Sequence, residues 1–329
     1  MSQFLAVFTD ALRLLKAKAL FWITFAISVL AAVLYFSIGF NDDGITLFFG
    51  AKTWENEFIR AGSPLAEMFY LGIFSMVMVN IWLSWVAVIL ALVTCAPVFP
   101  SFMQEGSAGT VLCKPIGRLK LFVFKYLSGL LFAFLQTSIF CLIVFFAIRF
   151  RVGTWNPSVF WAVPLVVLMF SYLWSILVTI GVRTKSVMAS LLAALLVWGA
   201  AWVSKATEEY MYMGAEMGEV PAGGGTMRLS DEDQQNFKEG YALYSLPYKV
   251  LPKTTDTINL LQRYITVEGE REFSLSQLIG AMSGFGAEED EEAEAAMKRH
   301  SPAYIIGTSL AFELVVLGIG AWMFVRRDF

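Results

Sequence analysis

The sequence predicts an all-α polytopic membrane protein with six transmembrane helices, and three observations predict it. The 329 residues are 57% hydrophobic and only 16% charged, well below the roughly 25% charged of soluble domains. Six stretches, near 19–39, 66–98, 121–148, 159–182, 187–203 and 303–325, approach or exceed the roughly 17–25 apolar residues with which a helix crosses about 30 Å of hydrocarbon. Alternation at period 2 is absent from them, so a helical bundle is favoured over a barrel.

The chain begins with an expected amphipathic helix over residues 1–18. Phe4, Leu5, Phe8, Leu12 and Leu15 recur at helical spacing against Asp10, Arg13 and Lys16, a pattern suited to a helix lying in the headgroup layer. A cleavable signal peptide is the alternative, but its positive region would be unusually long and no small-x-small site follows. Basic residues then orient the spans. With the N-terminus in the cytosol, the inner connections and tails hold Arg13, Lys16, Lys18, Lys114, Arg118, Lys120, Lys125, Arg183, Lys185, Arg326 and Arg327. The two short outer connections hold only Lys52, Arg60, Arg149 and Arg151. Positive residues are retained on the cytosolic side of short loops, so both termini are expected inside.

Three units are expected: a membrane domain over 1–203, an external acidic, α-rich module over 204–302, and the sixth span with a cytosolic tail over 303–329. Between residues 204 and 301 there are 18 acidic and 9 basic residues, against 9 and 15 in the rest of the chain. Pro221-Ala-Gly-Gly-Gly225 is a flexible breaker and the acidic run 288–294 a solvated one. Asp256, ahead of Ile258, Leu260, Leu261, Tyr264 and Ile265, opens a short amphipathic helix expected on the outer surface of the bundle.

Reactive chemistry is thin. Cys95 and Cys141 fall in spans, Cys113 lies in an inner loop, and the module has no cysteine, hence no disulfide framework. His300 is the only histidine, which removes His-pair zinc sites and His-dependent acid–base machinery. A phosphate-binding G-x-x-x-x-G-K-[ST] loop is absent, so the chain is not itself a P-loop ATPase. No enzyme activity, cofactor or metal is expected in this chain, and no nucleic-acid partner. Met211, Met213 and Met217 could offer soft thioether ligands, but Tyr210, Met213 and Met217 also share one helical face, as an interfacial stripe would.

Polar residues inside the spans are the remaining candidates. Glu313 sits near the middle of the sixth span, either as a functional group facing a wet cavity or as a hydrogen-bonded tie between helices. Asn80 and Gln136 are read as interhelical hydrogen-bonders. Arg149 and Arg151 end the third span, reaching for lipid phosphate or contacting substrate. Trp22, Trp54, Trp155, Trp161 and Trp202 fit interfacial belts, so membrane lipid is an expected partner.

The connection after the second span carries the most specific pattern. Glu105-Gly106-Ser107, six further residues, then Lys114-Pro115-Ile116-Gly117-Arg118 and later Lys125-Tyr126 resemble the E-G-[ST]…[KR]-P-[IV]-[SG]-R…K-[YL] signature in the first cytosolic loop of ABC-2-type transporter permeases. The ending Phe324-Val-Arg326-Arg327-Asp328-Phe329 resembles the F-x-R-R-D-[LF] close of the same proteins. The similarity covers most of 1–203 and 303–329, and within that family the chain looks like permeases linked to multi-copper enzyme maturation.

That resemblance implies a subunit of an ATP-driven transporter in the bacterial cytoplasmic membrane, mainly of the exporter type. A second permease copy, identical or paralogous, and a separate ABC ATPase that binds ATP and Mg are implied partners. Physically, Gly106 permits a sharp turn, Ser107 can cap a short helix, and Pro115 stops it. Such a helix could sit in a groove of the ATPase, with Glu105 and Arg118 as charged contacts at its ends; Gly106, Ser107, Lys114 and Pro115 complete the implied coupling loop. Family members usually have a leucine-rich run where this chain has Ala108-Gly109-Thr110, a poorer helix former. Two other readings stand beside it: a turn whose bases only enforce topology, and a membrane scaffold or sensor whose external module binds a partner.

Overall fold

A computed structural model describes residues 19–55, 59–103, 117–222, 225–267, 271–272 and 299–327. The expected helix over 1–18, the stretch 104–116 and the acidic run 288–294 lie outside them. Six helices are long and apolar enough to cross a membrane, and the chain is a membrane-embedded helical protein. The end of the bundle that carries residues 103–117 is called the loop end, and the opposite end, where residues 204–301 emerge, the module end.

Helix α1 (Ala19–Phe36) buries one face, Phe21, Thr24, Ser28, Ala31, Ala32 and Tyr35, at the three-to-four spacing of a helix stripe, and leaves Trp22, Ile23, Leu30 and Leu34 exposed. At the module end the chain turns through a three-stranded antiparallel sheet, β1 (Gly39–Asn41), β2 (Gly44–Leu47) and β3 (Lys52–Glu55), with Phe40 opposite Ile45 and Ile45 opposite Trp54. This sheet departs from the expected all-α layout. Asn41 Oδ1 accepts from the backbone N–H groups of Asp43 and Gly44 and so closes the first turn.

The second span, α2, runs over Leu65–Phe102, capped by Ser63 with Pro64 in its first turn. From Phe74 to Ala87 it is π-helical. Buried positions there fall at Phe74 and Ser75, Val79, Leu83 and Ser84, then Ala87, a spacing wider than an α-helix would give. Ser84 Oγ donates to the carbonyl of Val79, five residues back, at 2.6 Å, which matches the i→i+5 geometry of the π form.

Helix α3 (Arg118–Arg151) has 34 residues and returns toward the module end. Helix α4 (Ala162–Thr184), entered through a short 3-10 turn at Pro157–Trp161, is the centre of the bundle. Of its most apolar window 83% is buried, against 22% for the last span, because α3, α5 and α9 surround it. Its approach to α3 depends on Gly129, where a Cβ would meet the ring of Trp174 at 2.6 Å. The Trp174 indole N–H in turn donates to the Tyr126 carbonyl.

Helix α5 (Val187–Tyr212) is capped by Ser186 and continues through a π turn to Met217. Residue 203, the expected edge of the membrane domain, therefore lies inside a continuous helix. Beyond it come a hairpin, β4 (Glu219–Ala222) with β5 (Gly225–Arg228), and α6 (Asp231–Tyr244), whose first turn carries Asp231, Glu232 and Asp233 at its positive end. Helix α6 folds back on the end of α5: Phe237 lies against Gly214 and the methyl of Met211 over Gly240. After α7 (Leu246–Val250) the chain enters α8 (Thr254–Tyr264). A two-residue pair, β6 (Thr266–Val267) with β7 (Arg271–Glu272), follows. The last span, α9 (Pro302–Val325), is capped by Ser301.

Helix α8 does not lie on the outer surface as its amphipathic pattern suggests. It is wedged into the module end against α4, α5, α9 and the π-helical part of α2, with Thr257, Ile258, Leu260 and Leu261 at most 3% exposed. The lead-in is buried too, and its backbone is satisfied internally, as a chain at membrane depth requires. The Lys253 N–H donates to Ser309 Oγ at 2.9 Å, and Thr257 Oγ1 to the Lys253 carbonyl at 2.7 Å. Ser309 stands seven residues inside α9, so the wedge reaches about 10 Å down that helix.

Candidate functional site

Of the loop signature, Glu105, Gly106, Ser107, Lys114 and Pro115 lie outside the described residues, and Arg118 lies within them. Its guanidinium is used inside the chain: Nη1 donates to the carbonyls of Val325 at 3.0 Å and Arg327 at 2.8 Å. Those groups belong to the C-terminal end of α9, where unpaired carbonyls and the negative end of the helix dipole favour a cation. Arg327 reaches on to the carbonyl of Val182 at the end of α4. Lys125, nearly buried, stands over the Phe102 ring at 4.2 Å. The base of the loop is thus tied to the ends of α9, α4 and α2.

Twelve residues up α9 from Val325, Glu313 faces the interior and is 7% exposed. Its Oε1 accepts from the Tyr126 hydroxyl of α3 at 2.5 Å, and its Oε2 from Ser171 Oγ of α4 at 2.8 Å. Both carboxyl oxygens are occupied, and the three helices meet in one polar knot. Thr179 of α4 adds a bond to the Val316 carbonyl at 2.9 Å, one turn along α9. Gln136 lies elsewhere, joining α3 to Ser28 of α1 at 3.0 Å, near the Thr24–Thr94 pair that joins α1 to α2. Asn80 is half-buried in the π-helical stretch. The polar candidates are therefore dispersed, and Glu313 alone of them bridges three spans.

At the module end, α8 and the approach to α9 build a charged cluster that the sequence reading missed. Lys205 Nζ of α5 pairs with Glu209 at 2.7 Å and Asp256 at 3.1 Å. Arg299 pairs with Glu208 and lies 3.8 Å over the Tyr212 ring. Tyr241 donates to Glu208 at 2.6 Å, and Tyr248 to Asp256 at 2.8 Å. Lys205, Glu208, Glu209, Tyr248, Asp256 and Arg299 of this cluster line a cavity of about 90 Å³. Beside it Lys253, 3% exposed, holds its ammonium between the rings of Tyr248 and Tyr304, at 4.9 and 5.0 Å, with no hydrogen-bond partner among the described residues.

Burial lowers the pKa of Lys253 below the ordinary amine value, although Asp256 and Glu208 pull the other way. Burial and then neighbouring Arg299 lower that of His300. Burial and the Glu208 carboxylate push Tyr241 up to about 12. Apart from the i,i+4 pair Lys205–Glu209, the partners come from different elements, α5, α6, α7, α8 and the entry to α9, so little local spacing announces them. Only the acidic excess of the segment is visible in sequence.

The described residues present fastenings between helices rather than a nucleophile–base pair, and no cluster of three or more His, Cys, Asp or Glu suited to a metal occurs among them. No protein-family model, curated protein or solved structure matches this chain.

Proposed function

We propose that the chain is the membrane-spanning permease subunit of an ATP-driven ABC transporter, of the exporter type, coupled to a separate ATPase through residues 101–120. In this reading the loop end faces the cytosol, a second permease copy completes the pore, and the segment 204–302 is external. The signature around Glu105–Arg118 suggests the class. The observation that carries the mechanism is the bond from Arg118 to the last carbonyls of α9. A push on the loop enters α3 directly and α9 through Arg118, while Glu313 ties both to α4.

The three helices then tilt as one body, and the wedge α8, seated among α4, α5 and α9, closes or clears the far end. For nucleotide to drive this, its binding energy must differ between the seated and cleared shapes.

The test is co-expression with a candidate ABC ATPase from the same genome. Glu105→Lys is expected to weaken complex formation at least about tenfold, the scale for reversing an interface charge. Arg118→Gln is expected to leave the complex intact and uncouple ATP hydrolysis from transport. Unchanged assembly in the first variant together with unchanged coupling in the second would sink the proposal.

A further inference from the structure

A groove of about 450 Å³ runs along the outside of the bundle between α3 and α4, lined by Phe134, Ser138, Ile139 and Leu142 on one side and Phe160, Val163 and Pro164 on the other. Its wall is almost wholly apolar, and Phe134, Ile139 and Leu142 are exposed. From Phe134 to Leu142 it covers about 12 Å of helix rise, close to the roughly 15 Å that is half of a bilayer's hydrocarbon. A partner helix must cross both leaflets, so a groove confined to one suits an acyl chain better than a second protein.

One end of the groove is chemically different. Leu142, Phe146 and Arg149 follow each other up the same face of α3, all exposed. Arg149 stands seven residues, about 10 Å of helix rise, beyond Leu142, past the end of the groove. Its guanidinium lies 5.2 Å over the Trp155 ring and donates one bond to the Gly153 carbonyl, which leaves other donors free. Trp155 in turn contacts Phe145 at 5.0 Å, and Phe145 contacts Phe160 at the groove's mouth at 5.2 Å. Arg151 is turned the other way, its Nε bonded to the Phe36 carbonyl and its guanidinium over Phe36 and Phe49. Of the two arginines, only Arg149 serves the groove.

We infer that this groove is a binding site for one phospholipid of the module-end leaflet, with an acyl chain between α3 and α4 and the phosphate at Arg149. A planar guanidinium with spare donors recognises phosphate oxygens, and an indole beside it marks headgroup depth. The inference stands independently of the transport reading.

The experiment is native mass spectrometry of the full chain, purified in mild detergent from membranes and released with increasing collision energy. One phospholipid per chain is expected on the wild type. Ser138→Trp, which fills the groove, is expected to reduce the lipid-bound fraction at least about tenfold, and the gentler Ser138→Leu to reduce it in part, with monodisperse elution showing each variant folded. Arg149→Gln is expected to keep the fold and release lipid at lower energy. No retained lipid on the wild type, or equal retention in wild type and Ser138→Trp, would overturn the assignment. So would a dimer without lipid that Ser138→Trp dissociates, since a second copy would then occupy the face.

Discussion

Glu313 shows how a single residue can be an expense or a support in hydrocarbon, depending on its partners. An ionisable side chain at span depth is costly, yet here each carboxyl oxygen accepts a hydroxyl; without it Ser171 Oγ still has the Leu168 carbonyl at 2.7 Å, while Tyr126 keeps only the long 3.4 Å contact to the Ser171 carbonyl. Glu313→Ala is expected to destabilise the detergent-solubilised protein by roughly 2–4 kcal/mol, from a poorly paired Tyr126 hydroxyl and a cavity. Glu313→Gln, which can still engage both hydroxyls after they rotate, is expected within about 1 kcal/mol of wild type. Thermal unfolding checks both; a Gln variant as unstable as the Ala variant would show that charge, not hydrogen bonding, holds the knot. Sequence position marked Glu313 as special because acids are rare in spans. It could not reveal Tyr126 and Ser171, which lie 187 and 142 residues away.

Elements were legible in proportion to how local their cause is. Apolar length is a property of contiguous residues, so the six spans stand where the sequence puts them, with the fifth extended beyond 203 because its helix simply continues to Met217. The π-helical run of α2 and the sheet at 39–55 left no such signature, and the strands are only three or four residues long. Helix α8 misled for a physical reason. Its polar residues Thr254 and Thr257 look solvated in sequence, but Thr257 is spent on the Lys253 carbonyl and both are buried. Leu260, fully buried on this wedge, is the sharpest test of its seating. Leu260→Ala is expected to cost about 2–5 kcal/mol, the range for emptying a packed site. Hydrogen exchange across 246–265 should rise first, and unchanged protection there would show that α8 does not depend on the bundle.

On the scale of the whole molecule, the fastenings fall into two tiers. Apolar packing and scattered hydrogen bonds, such as Gln136 to Ser28 and Arg151 to the Phe36 carbonyl, hold α1 through α4 together. The module end is joined through charges, with His300 stacked between Tyr248 and Tyr304 beside Arg299. Because the folded pKa of His300 lies below its free value of 6.5, the unfolded chain takes up the proton first. Its contribution is complete above about pH 6.5 and declines as pH falls through that value. The melting temperature should therefore drop more between pH 7.5 and 5.5 in wild type than in His300→Gln; equal drops would assign the sensitivity to other groups. The lone ammonium of Lys253 has a mechanical corollary. Burial strips that nitrogen of its hydration, so in the proposed transport cycle any shape that readmits moisture to it is favoured by the solvation it regains.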